Sequence, residues 1–204
     1  MTFARIELPG ALVVVPDITV DVADPNARTA VAGLVGASQV AVMTAEHGTR
    51  VLEVDADGVC DPADSLWTSR DDLAVAALAA DCVPIAWVGP SWVGVTHAGW
   101  RGVLAGAHQI AATRLAPTHA VIGPSICAQC YEVSHELVTQ FESAVPHAVH
   151  DERHLDLAEA VEHDLRDIGI EVTRVSGCTK QESRLRSYRG GDLTARGGIV
   201  VVRA

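Results

Sequence analysis

The sequence predicts an α+β fold built on mixed β-sheets, and three observations carry that prediction. Hydrophobic residues make up 49% of the 204 residues and charged residues 20%, the composition of an ordinary globular chain rather than a disordered one. Val-rich runs of strand length are interspersed with segments of helical periodicity. The order of those segments is not a strict βαβ alternation, which disfavours a simple parallel α/β architecture. With aromatics at only 4%, the core has to be assembled mainly from Ala, Val, Leu and Ile. The length suits one domain spanning residues 1–204.

Taken in order, Ala11–Val15, Val40–Thr44 and Val51–Val54 read as strands. Leu73–Leu78 and Pro84–Val88 flank the stretch Ala79–Val83, and Trp92–Thr96 follows the turn at Gly89-Pro90. Gly102–Leu115 places Val103, Leu104, Ala107, Ile110 and Ala111 on one helical face. His119–Ile122 returns to strand. Ser134–Val145 and Asp156–Ile168 read as helices, the second opened by a capping box of Asp156 and Glu159. Glu171–Val175 and Gly198–Val202 close the chain as strands.

Charge and cysteine usage exclude several functions. Fifteen basic residues against 26 acidic ones give a net charge of −11, a field that repels nucleic-acid backbones and anionic lipid. A small anion in a local pocket remains compatible with it. The longest stretch free of charged side chains, Cys82–Trp100, is broken by Pro84, Gly89, Pro90 and Gly94, so it reads as two strands and a turn rather than a membrane helix. The N-terminal residues lack the pattern of a secretory signal. Five cysteines without regular spacing fit a reducing cytoplasm, where they serve as thiols or metal ligands.

Three residues stand at strand ends in settings suited to chemistry: His47 before Gly48, Cys82 in Asp81-Cys82-Val83-Pro84, and His97 before Ala98-Gly99-Trp100-Arg101-Gly102. Two imidazoles and a thiolate make a borderline-soft donor set for zinc, and three protein ligands leave one position open for catalysis. A zinc of this kind lowers the pKa of a bound water to about 7. Against this stand plainer readings, in which Cys82 is an inert buried thiol and each His merely a hydrogen-bonded one. Gly99-Trp100-Arg101-Gly102 adds weight, since a large aromatic and a cation between glycines at a strand-to-helix turn favour an anion at the helix start. Its plain alternative is Trp100 as a core lid with Arg101 paired to a surface carboxylate.

The motifs Ala80-Asp81-Cys82-Val83-Pro84, His97-Ala98-Gly99-Trp100-Arg101-Gly102, Gly123-Pro124-Ser125-Ile126 and Tyr131-Glu132-Val133 resemble the successive signatures of the YfiH-like family, also called the polyphenol oxidase or laccase-domain family. Leu155-Asp156-Leu157, Cys178-Thr179, Ser187-Tyr188-Arg189 and Arg196 resemble its C-terminal pattern. The match runs over roughly residues 40–204. It implies two mixed sheets between helical layers (α/β/β/α), and Zn²⁺ held by His47, Cys82 and His97. Ala45 stands where the family usually has Gln, and Met1–Gln39 shows no counterpart of a pocket-lining segment, so the N-terminal region is expected to be shortened.

The resemblance also implies a purine nucleoside phosphorylase, with adenosine deaminase and methylthioadenosine phosphorylase activity in the same pocket. Purine nucleoside and phosphate would be the small-molecule partners. Cys82, His97 and Asp81 are then the candidate catalytic residues, with Asp81 a general base, a partner behind the ligands or simply an anchor for the strand end. Trp100, Arg101, Tyr188 and Arg189 are the candidate substrate contacts. Two alternatives use the same residues: a zinc amidase editing peptidoglycan precursors, and a metal-free cysteine hydrolase with His97 as the base of Cys82. Laccase chemistry is disfavoured, because a trinuclear copper cluster needs many imidazoles and none of the nine histidines forms a His-x-His pair.

The remaining candidates have plainer readings. Cys127-x-x-Cys130 is read as a loop beside the pocket; with Cys178 alone elsewhere, a four-cysteine zinc site is disfavoured. His147, His150 and His154 are read as a solvated cluster, and His108 and His163 as ordinary helix residues.

Overall fold

A computed structural model describes all residues, Met1–Ala204. In chain order the first strands are β1 (Thr2–Leu8), β2 (Ala11–Pro16), β3 (Gln39–Thr44), β4 (Val51–Glu53), β5 (Gly58–Pro62), β6 (Ser65–Thr68) and β7 (Leu73–Ala79). They are followed by β8 (Val83–Val88), β9 (Val93–Ala98), β10 (His119–Ile122), β11 (Val149–Asp151), β12 (His154–Leu155), β13 (Glu171–Arg174) and β14 (Gly197–Arg203). The helices are α1 (Arg28–Leu34), α2 (Trp100–Leu104), α3 (Ala107–Leu115), α4 (His135–Ala144) and α5 (Leu157–Asp167).

Two six-stranded mixed sheets, ordered β1-β2-β14-β7-β3-β5 and β13-β10-β8-β9-β6-β4, pack face to face, and β11-β12 form a small separate hairpin. The period-2 alternation of strand side chains explains the layering. In β2, Val13 and Val15 enter the core between the sheets, while Leu12 and Val14 point to the other face, where Val31 and Ala32 of α1 cover them. In β8, Ala86 and Val88 face the opposing sheet, while Ile85 and Trp87 pack under helices α2 to α5. Strands buried on both faces read as continuous apolar runs, as ALVVVP and VPIAWV do. The expected α+β class and α/β/β/α layering are therefore the architecture observed.

Some expected elements shift. The helix expected over Gly102–Leu115 is two helices, because Gly106 adopts a left-handed φ of 72° and restarts the coil as α3. Strands β1, β5 and β6, the β11-β12 hairpin and helix α1 were not anticipated. Of these, β1 and β5 are sheet edges, and their interspersed charges (Arg5, Glu7, Asp61) hide the apolar alternation, while β6 is only four residues long. Asp156 caps α5 by accepting the Glu159 N–H at 2.9 Å; the Glu159 carboxylate turns instead to Arg174, so only half of the capping box forms. No helix is long and apolar enough to cross a membrane.

Candidate metal centre

Strand topology brings the three candidate ligands together. β3 and β7 run parallel in neighbouring positions, so their carboxyl ends reach the same rim. His47 follows β3, and Asp81-Cys82 follows β7 at the crossing into the second sheet, where β8 begins. β8 and β9 are antiparallel with Val83 opposite Ala98 and Pro84 opposite His97, which sets the end of β9 beside Cys82. The ligating atoms of His47, Cys82 and His97 lie within 4.8 Å of one another, and the two imidazole rings meet edge-on at 4.8 Å. Gly99, the residue that caps α2, presses against them. A Cβ there would stand 2.9 Å from His47 Cδ2 and 3.0 Å from Cys82 Sγ, so only glycine fits beside this donor set.

A residue that no sequence motif singled out organises the centre. Asp64, fully buried just before β6, accepts the His47 N–H at 2.9 Å, the Gly48 N–H at 2.7 Å and lies 3.0 Å from His97 Nδ1. These bonds hold His47 at its left-handed φ of 61°. With Nδ1 of His97 bound to the carboxylate, Nε2 is the nitrogen free to ligate, the usual arrangement behind a metal-binding histidine. Burial works to raise the Asp64 carboxyl, but His97 and the two backbone N–H groups hold it below the usual carboxylate range. Its sequence signal is slight: one acid, between Ala63 and Ser65, at the start of a strand.

Without a metal the same groups act on one another. Burial alone would push the Cys82 thiol up, yet hydrogen bonds and positive charge from His47 and His97 bring it down to about 6. Burial likewise opposes the charged form of His97, but Asp64 and the Cys82 sulfur raise it to about 9. A thiolate ready-made beside two imidazoles suits a borderline-soft divalent ion, and the donor set fits zinc.

Asp81 does not stand behind the histidines. Its carboxylate accepts Thr179 Oγ1 at 2.6 Å, Ser187 Oγ at 2.7 Å and the Arg189 N–H at 2.7 Å. It thereby anchors the C-terminal segment over the rim, and these three donors hold its left-handed φ of 92°. The segment forms one wall of a cavity of about 650 Å³ whose floor includes His47, Cys82 and His97. Twelve of its 18 lining residues are hydrophobic, and the set includes Trp100, Tyr131, Tyr188, Arg189 and Arg196. Arg189 donates to the Glu132 carbonyl and lies 5.3 Å from the Tyr131 ring centroid. Burial and the neighbouring Cys82 push the Tyr131 hydroxyl up to about 12. The Arg196 guanidinium bonds only to the carbonyls of Asp192, Leu193 and Ala195. Arg101 does not line the cavity; it stacks on the Trp100 ring at 4.2 Å.

Away from this rim, Cys178 does not stand alone, as the sequence suggested; it lies against Cys127 and Cys130. His147 and His163 stack at 4.1 Å beside Asp164, and His108 Nε2 lies 2.8 Å from the same carboxylate. The helix histidines thus join a polar cluster at Asp164, His108 buried and His163 exposed, whereas His154 pairs locally with Asp151.

The model of a family described as multi-copper polyphenol oxidoreductase laccase matches residues 13–203. The chain belongs to that family, the YfiH-like one. Its relatives include the purine nucleoside phosphorylase of Deinococcus radiodurans, 32% identical over 82% of this chain and 71% of that protein. The purine nucleoside phosphorylase of Aquifex aeolicus is 33% identical over 76% of this chain and 78% of its own length. Among solved structures, a Neisseria meningitidis protein superposes with a TM-score of 0.82 at 22% identity, covering 100% of this chain and 99% of its own. YfiH of Bacillus licheniformis superposes at 0.77 and 21% identity, covering 97% and 98%. These superpositions establish the fold, and the curated relatives place the chain among enzymes.

Proposed function

We propose that the chain is a zinc-dependent purine nucleoside phosphorylase, with adenosine deamination and methylthioadenosine phosphorolysis as further activities of the same pocket. The observation that carries this reading is the opening of the His47–Cys82–His97 donor set into a cavity of nucleoside size with an apolar wall and two cations. The relatives named purine nucleoside phosphorylase support it.

His47, Cys82 and His97 would hold the ion, which when bound supplies Lewis acidity at the floor of the cavity. Trp100, Tyr131 and Tyr188 offer flat faces for a purine base. Arg189 and Arg196 supply positive charge for phosphate, in a chain otherwise strongly acidic. In phosphorolysis a phosphate oxygen bonds to the anomeric carbon as the carbon–nitrogen bond breaks and its electron pair leaves with the base. The part of this chain is to align those partners and exclude water. Asp81, bonded to the Arg189 N–H, sets where that arginine stands. Asp64 fixes His97.

A second reading is favoured by one observation. Cys82, His97 and Asp64 are linked in the order nucleophile, base and orienting acid, as in a metal-free cysteine hydrolase. Turnover of inosine with phosphate to hypoxanthine and ribose 1-phosphate, abolished both by a strong chelator and by Cys82→Ala, is the outcome expected of the zinc enzyme. Inosine cleavage to hypoxanthine and free ribose that survives the chelator but not Cys82→Ala belongs to the hydrolase instead.

A further inference from the structure

Three of the five cysteines lie outside the proposed catalytic centre and meet behind it. Cys127 and Cys130 bracket the short 3-10 turn Ala128–Cys130, and Cys178 sits on the loop after β13 that bridges back to Ser125. Their sulfur atoms lie within 4.8 Å of one another, and all three residues are half-buried. Around a tetrahedral ion with metal–sulfur bonds of about 2.3 Å, thiolate sulfurs stand about 3.8 Å apart, so the cluster needs to contract by at most about an ångström to close on one.

The surroundings suit thiolates. The Cys127 N–H donates to Cys178 Sγ at 3.3 Å, and Gln181 Nε2 donates to Cys130 Sγ at 3.4 Å. The backbone N–H groups of Lys180 and Gln181 also act on the Cys178 sulfur and help lower its pKa against the effect of burial. Donors of this kind stabilise and orient metal-bound sulfur. Burial and the hydrogen bonds it donates to the two neighbouring sulfurs push the Cys127 thiol up to about 12, so that its proton is shared with the Cys178 sulfur, a place a cation among the three would take. Cys127 and Cys178 also line a second cavity of about 260 Å³, which gives an ion a way in.

We propose that Cys127, Cys130 and Cys178 form a second metal site, a three-thiolate cage for a thiophilic d¹⁰ cation, Zn²⁺ or Cu⁺. Binding displaces the thiol protons and involves no change of oxidation state at sulfur. The site is a clamp on the catalytic rim. Thr179, next to Cys178, donates to the Asp81 carboxylate, and the Ile126 N–H, next to Cys127, donates to the Asp81 carbonyl. An ion shared by the two loops locks both of them onto the turn that presents Cys82.

Protein carrying Cys82→Ala, titrated with Co²⁺ under reducing conditions, isolates this site from the first. The expected result is one cobalt per chain with a strong thiolate-to-cobalt charge-transfer band, lost or weakened at least tenfold in Cys82→Ala/Cys130→Ser. In the unmutated protein, alkylation mapped by peptide mass spectrometry should find Cys127, Cys130 and Cys178 protected until a strong chelator is added. Elemental analysis of that same protein identifies the native ion as zinc or copper. A band that persists without Cys130, alkylation indifferent to the chelator, or a mass lower by two hydrogens with no metal bound (a disulfide) would each overturn the proposal.

Discussion

Asp64 bears more of the centre than any single ligand. One carboxylate sets the backbone of His47-Gly48 and the ring of His97, so two of the three donors depend on it. Asp64→Asn keeps the size but replaces one acceptor oxygen with an NH₂ group, which at Oδ2 cannot accept the Gly48 N–H and at Oδ1 cannot accept from the His47 N–H or His97 Nδ1. Zinc affinity should fall by about 10- to 100-fold, as when other supporting partners of metal ligands are removed. Competition with a chromophoric chelator measures this; an unchanged affinity would show that the histidines hold their places unaided. His47, Cys82 and His97 could be named from their neighbours in sequence, whereas Asp64 could not, because its importance comes from burial and from strands 33 and 17 residues away.

At the scale of elements, the chain past β13 behaves as a strap tied down at Asp81. Thr179, Ser187 and Arg189 all bond to that carboxylate, and Tyr188, Arg189 and Arg196 reach the cavity as a result. Ser187→Ala leaves a buried carboxylate with two of its three donors, which should cost about 1.5–3 kcal/mol locally. Faster amide exchange at Arg189 and Gly190, with a raised KM for inosine and a smaller change in kcat, is the expected result. Exchange at the wild-type rate would mean that the strap is held by something other than Asp81. The motif Ser187-Tyr188-Arg189 was visible in the sequence, but the separation of 106 positions from Asp81 to Ser187 hid its attachment.

For the whole molecule, the helical layer over the second sheet is joined through Asp164. Burial works to raise its carboxyl, but the hydrogen bond from His108 and the charge of His108 and His147 hold it below the usual range. A carboxylate with a folded pKa below its unfolded one stabilises the fold fully above about pH 4, and that contribution disappears as pH falls through the lowered folded value. Asp164→Asn should therefore lower stability at neutral pH by about 1–3 kcal/mol, yet narrow its gap to the wild type on acidification below pH 4. Thermal melts from pH 7 to pH 3 check this, and parallel curves for the two proteins would remove Asp164 from the account.

The sequence by itself determined the α+β class, most of the buried strands and the three candidate ligands, because each is written locally in alternation, in turn residues or in a short motif around a strand end. Edge strands β1 and β5 escaped it, their charges masking the pattern that neighbours in a sheet would complete. Only the tertiary structure decided what stands between distant segments: Asp64 behind His97, the strap on Asp81, and Cys178 against Cys127. Those arrangements depend on which strand ends share a rim, and a linear chain does not state that until its sheets are stacked.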